Sequence, residues 1–70
     1  MEFGERLSRW RKSRHLTQQR LADLVGVSGP AICQFETGIS KPSLDTLLAI
    51  TGALKVTMAT FWGRCPVGPS

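Results

Sequence analysis

The side chains available for chemistry in this chain favour hydrogen bonding over bond-making. Its two cysteines, Cys33 and Cys65, lack CxxC spacing, and with the single histidine, His15, they make no metal set. No nucleophile is spaced with a base, and no glycine-rich loop could cradle a phosphate, so neither catalysis nor a cofactor is expected. Between Gln18 and Thr37, however, the chain gathers amides and hydroxyls at Gln18, Gln19, Ser28, Gln34 and Thr37.

The apolar residues of the same stretch say how those groups are held. Leu21, Val25, Val27, Ile32 and Phe35 would point into one wedge of core on two short helices that cross steeply. Ala22 is small enough for the second helix to pass close by. Gly26 falls where the chain must reverse, most cheaply with positive φ. Thr17 can cap the first helix and Ser28 the second, because each hydroxyl can accept an orphan backbone N–H. The stretch from Gln18 to Thr37 is expected to be a helix-turn-helix.

The whole chain frames that unit narrowly. Seventy residues make one small domain with a single modest core. A hydrophobic fraction of 41% with 20% charged residues is ordinary for a folded domain and argues against disorder throughout. Nine Lys and Arg oppose five Asp and Glu, and the sequence pI is near 9.8. That balance favours polyanionic partners, nucleic acid first. The N-terminus carries acidic Glu2 and Glu5, and no apolar run reaches membrane-spanning length. No signal peptide or membrane partner is therefore expected, and the default is a soluble protein of the reducing cytoplasm.

In chain order, Met1 to Arg14 reads as a first helix, with Phe3, Leu7 and Trp10 at helical spacing. Glu2 and Glu5 at its start and Arg11, Lys12 and Arg14 near its end complement the helix dipole. Arg6, Arg9 and Lys12 read most simply as a solvated outer face, with a long-range pull on phosphate as the alternative. Leu16 precedes the Thr17 cap of the second helix, 17–25. The third helix spans 28–37, with Pro30 in its first turn and Gly38 ending it. Ser43 caps a fourth, reaching about Leu54, with Leu44, Leu47, Leu48, Ile50 and Leu54 as its apolar face. Thr57 caps a short fifth, 58–62. The expected domain covers 1–63, and the Gly- and Pro-rich run 64–70 reads as a tail or the start of a linker. No strand pattern appears, so the fold class is all-α with five helices.

Over residues 3 to about 62 the chain resembles the lambda-type phage repressor and Cro family, the XRE-type helix-turn-helix regulators. The matching runs are Phe3-Gly4-Glu5-Arg6-Leu7 with Trp10-Arg11, Leu16-Thr17-Gln18, Leu21-Ala22, Gly26-Val27-Ser28, Ile32, Phe35-Glu36 with Gly38, Lys41-Pro42-Ser43, and Leu54 with Val56. The resemblance implies a sequence-specific transcriptional regulator, a repressor that binds a palindromic operator in double-stranded DNA as a homodimer. Helix 28–37 would then lie in the major groove. An antitoxin or other protein-interaction module on the same fold, with a toxin or another protein as partner, is the alternative. So is the N-terminal domain of a longer regulator.

The resemblance also distributes roles. Ser28, Gly29, Pro30, Cys33 and Gln34 become the base-contacting set. Gln34 suits it, since an amide can pair in two places with adenine N6 and N7, although a solvated surface glutamine is the plain alternative. Gly29 and Pro30 depart from the family's polar pattern. They would allow close backbone approach or contact with a thymine methyl, or they mark a protein that leans on DNA shape. Gln18 is expected to clamp phosphate while bracing the start of the third helix. Thr17, Gln19, Thr37, Ser40 and Lys41 are further phosphate candidates.

Arg11 and Glu36 occupy family positions for an ion pair inside the domain, so Glu36 is not a catalytic acid. Trp10, Phe35 and Phe61 are expected in the core. By the same resemblance, Met58, Phe61 and Trp62 form the dimer contact. Cys33 reads as a small surface side chain in preference to a redox switch, since no neighbour in the sequence is placed to activate its thiol. His15 is expected at a helix end, facing solvent.

Overall fold

Four of the five helices in the computed structural model, which describes residues 3–63, start at a hydroxyl that caps them. The elements among the described residues are α1 (Phe3–Ser13), α2 (Gln18–Val25), α3 (Gly29–Thr37), α4 (Leu44–Leu54) and α5 (Met58–Gly63). The expected tail 64–70, Cys65 and the acidic Glu2 lie outside the described residues. Thr17 caps α2 by accepting from the Arg20 N–H at 3.0 Å, and Ser28 caps α3 by accepting from the Ala31 N–H at 3.3 Å. Ser43 and Thr57 do the same for α4 and α5, accepting from Thr46 and Thr60 at 3.3 and 3.0 Å.

The turn between α2 and α3 works as its glycine requires. Gly26 has φ 88°, and its N–H and that of Val27 both donate to the Ala22 carbonyl, at 2.8 and 3.0 Å. One carbonyl of the last turn thereby accepts from both N–H groups at the point where the chain reverses. His15 and Lys55 perform the same left-handed step after α1 and α4, at φ 59° and 60°, without being glycine.

Leu7, Leu21, Ile32, Ile50, Leu54 and Phe61 are fully buried, and Trp10, Ala22 and Phe35 complete the core. The three aromatic residues expected inside are inside. Each fully buried aliphatic or aromatic side chain contributes about 1.5–3 kcal/mol, so a handful supplies most of what a domain this small can bury. α1 reaches this core unusually close to α3. A Cβ on Gly4 would stand 2.2 Å from the Glu36 carbonyl oxygen, which is why the position carries no side chain.

On α4 the buried stripe differs from the expected one. Ile50, Thr51 and Leu54 are buried and Leu47 is half-buried, whereas Leu44 and Leu48 are 66% and 50% exposed. Five apolar residues spread over this helix span more than the roughly 100° that one core-facing stripe occupies. Packing selected the side that contains Thr51, whose hydroxyl donates to the Leu48 carbonyl at 3.0 Å. Arg6 is also less free than an outer face implies, and Arg14 is engaged as well. Arg14 Nε donates to the Leu54 carbonyl at 2.8 Å while its guanidinium lies over Trp10, and Arg6 Nη1 donates to the Phe61 carbonyl at 3.2 Å.

Candidate nucleic-acid interface

α3 is anchored on one side and open on the other. Ile32 and Phe35 are buried, while Ser28, Pro30, Cys33 and Gln34 are exposed and Gly29 is half-covered. Pro30 stands in the first turn of the helix, where its missing N–H breaks no helical bond. A shallow depression beside the helix start is lined by Gln18, Gln19, Gly29, Pro30, Cys33 and Gln34. The structure thus brings four of the five candidate base-contacting residues together with the beginning of α2. Ser28 stands at the cap.

Behind this surface lies the Arg11–Glu36 pair. Arg11 Nε and Nη2 donate to Glu36 Oε2 and Oε1 at 2.6 and 3.2 Å, and Arg11 Nη1 donates to the Leu16 carbonyl at 2.7 Å. Gln18 Nε2 donates to the same Glu36 Oε1 at 3.1 Å. This corrects one expectation, because Gln18 braces the end of α3 and not its start. The reason is chemical: Gly29 offers no side chain to hold, whereas Glu36 presents a carboxylate oxygen within reach.

The phosphate candidates divide by what already occupies them. Lys41 and Ser40 lie with Thr37 around a second depression, under the start of α1. The Thr37 hydroxyl donates to the Cys33 carbonyl at 2.9 Å, so its proton must turn over before it can meet a phosphate. Gln19 Nε2 donates to Asp23 Oδ1 at 2.9 Å. Arg9 and Lys12, read from the sequence as a solvated face, are exposed but share a third depression with Gln18, Glu36 and Thr37. The signal for them was Arg11, because a residue paired with the end of α3 brings its α1 neighbours to the same place.

At the far end of the domain, Phe61 cannot offer its ring to a partner. It is fully buried, it stacks on Phe3 at 5.7 Å between centroids, and its carbonyl accepts from Trp10 Nε1 at 3.3 Å as well as from Arg6. This corrects its place among the dimer-contact candidates: a phenylalanine on the inner face of a six-residue helix has only the core to pack against. Met58 is half-buried and Trp62 is 43% exposed, with the Arg6 guanidinium 5.5 Å from its ring centroid. Only these two of the three keep surface.

The arrangement of caps, turn and anchored second helix matches a family model described as helix-turn-helix over residues 7–61. The chain belongs to this family. Its members are DNA-binding transcriptional regulators and not enzymes. An uncharacterized HTH-type transcriptional regulator, YqaE of Bacillus subtilis (strain 168), is 39% identical over 56 residues, which is 80% of this chain and 48% of the relative. Repressor protein C of Escherichia phage P2 is 36% identical over 60 residues, covering 86% of this chain and 61% of that one. The chain therefore spans about half to three-fifths of the length of these relatives. Among solved structures, the P22 c2 repressor in complex with a synthetic operator superposes with a TM-score of 0.81 at 34% identity, over 87% of this chain and 92% of that one.

Proposed function

We propose that this helix-turn-helix chain is a cytoplasmic, sequence-specific repressor that binds an operator in double-stranded DNA, with α3 in the major groove. The observation that carries the reading is the two-sidedness of α3. Ile32 and Phe35 lock it into the core, while Cys33 and Gln34 face outward from the same two turns. A helix held this rigidly can present side chains to base edges without ordering itself first. Gln34 would pair with adenine N6 and N7. Arg9, Lys12 and Lys41, around the end of α3, would meet the phosphates on either side. The complex of the P22 c2 repressor with a synthetic operator supports DNA as the partner.

A homodimer on a palindromic site completes the reading, with Met58 and Trp62 supplying the two-fold contact and bound DNA occluding a promoter. No helix among the described residues is long and apolar enough to cross a membrane, in keeping with a DNA-directed role.

Selection of random duplexes by fluorescence anisotropy, with wild type and Gln34→Ala at two salt concentrations, tests the reading. The expected result is a palindromic site, with one position relaxed by the substitution and affinity falling steeply with salt. Absence of duplex binding at low salt would overturn it in favour of a protein-binding module.

A further inference from the structure

α3 begins at a residue without a side chain, and a residue of α2 occupies the space above it. A Cβ on Gly29 would stand 2.4 Å from Oε1 of Gln19 and 3.3 Å from its Cδ. Gln19 therefore lies across the start of α3 and lines the same depression as Gln34. A hydrogen bond orients its amide. Nε2 donates to Asp23 Oδ1 at 2.9 Å, one turn further along α2. A carboxylate only accepts, so this contact decides which end of the amide is nitrogen and leaves Oε1 over Gly29.

We propose that Gln19 determines base specificity in place of the side chain that Gly29 lacks. Its Oε1 accepts a hydrogen bond from an exocyclic amino group in the major groove, adenine N6 or cytosine N4. The inference rests on the DNA-binding reading above and adds to it a base contact from α2. The chemistry of the exposed atom selects the partner. Oε1 is an acceptor and so are phosphate oxygens, which cannot pair with it, whereas adenine and cytosine present amino donors in the groove. Asp23 acts here as a positioning residue, since it sets the amide's orientation from outside the contact.

Gly29 allows a test that leaves Gln19 in the chain. Gly29→Ala places a methyl group where Oε1 sits, and the clash falls on the far end of a flexible side chain, so Gln19 gives way while α3 persists. Alanine also favours helix over glycine. Wild type, Gln19→Ala, Gly29→Ala and the double variant would be put through the same duplex selection, each first checked for a thermal transition no lower than that of wild type. The expected result is one position of each half-site at which wild type discriminates by about tenfold and each variant does not, with the double variant no worse than either single. Replacing the preferred base by purine or 2-pyrimidinone, which lack the amino group, should weaken wild type and leave Gln19→Ala unaffected. That pair of analogues also tells adenine from cytosine.

An even loss of affinity for all duplexes in Gln19→Ala would show a phosphate contact and overturn the inference, as would an unchanged preference in Gly29→Ala. A selected site that relaxes only with Gln34→Ala would overturn it while the DNA reading stands. A wild type without any preferred site would overturn both.

Discussion

Glu36 grips the Arg11 guanidinium with both carboxylate oxygens, at 2.6 Å to Nε and 3.2 Å to Nη2. The two side chains are only 11% and 7% exposed. The pair ties α1 to the last turn of α3, and through Arg11 Nη1 it also holds the Leu16 carbonyl just ahead of α2. Three of the five helices thus meet at one ion pair. Removing one partner leaves the other charge buried without its counterion. Arg11→Ala or Glu36→Ala should cost roughly 3–5 kcal/mol, while Arg11→Met with Glu36→Leu should cost much less than the two single losses together. Urea unfolding curves measure this, and a double variant whose loss equals the sum of the two would refute the coupling.

The close approach of α1 to α3 gives a second expectation. Gly4→Ala places a Cβ against the Glu36 backbone carbonyl, which cannot swing aside as a side chain can. The variant should lose about 1–3 kcal/mol, the usual cost of overpacking, with its Arg11–Glu36 pair still present. A thermal midpoint equal to that of wild type would show that the helices have room to separate.

Three backbone positions offer gains. His15 and Lys55 adopt left-handed conformations at φ 59° and 60° that glycine adopts without a Cβ clash. His15→Gly and Lys55→Gly should each stabilise by about 0.5–1 kcal/mol. Gly52 lies inside α4 with open space where a Cβ would go, so Gly52→Ala should add up to about 1 kcal/mol. Midpoints in urea that fail to rise would mean that the denatured chain gains as much as the folded one.

Arg9 and Lys12 carry a prediction about DNA. If they meet phosphate, Arg9→Ala and Lys12→Ala should each reduce the slope of log K against log salt by about 0.9. The selected sequence should not change, because phosphate contacts carry no base information. Titrations over a range of salt concentrations would detect the change, and an unaltered slope would return both residues to the solvated face.

Trp62 tests the homodimer proposed above. Its ring packs on Phe3 and Phe61 at 5.8 and 5.4 Å between centroids, yet 43% of the residue remains open. Trp62→Ala should shift sedimentation toward monomer and weaken binding to a full palindrome far more than to a half-site. Equal losses on both duplexes would mean that the residue supports only its own domain.

Much of this architecture was legible because the relevant forces act over a few residues. Thr17, Ser28, Ser43 and Thr57 each announce a helix start, since a cap needs only its own hydroxyl and an N–H three residues on. The turn at Gly26 and the spacing of Leu21, Ile32 and Phe35 are equally local, and so the helix-turn-helix could be read before any coordinates. The ion pair of Arg11 with Glu36 spans 25 positions and was reached only through resemblance. For Arg9 and Lys12 the sequence leaves a solvated face and a pull on phosphate side by side, because a cation on a helix has the same local pattern whether it faces bulk water or a groove.

The sequence alone therefore determined the five helices among the described residues, the N-caps of α2 to α5, and the outward and inward sides of α3. Tertiary structure decided the rest: that α4 buries Thr51 and leaves Leu44 and Leu48 outside, that Phe61 is too deeply buried to join a dimer contact, that Gln18 holds Glu36, and that Gln19 fills the space above Gly29. Each of these depends on the distance and rotation between two packed helices. Capping and periodicity specify a helix and its apolar side to within a residue or two, but they do not specify the angle at which it meets its neighbour.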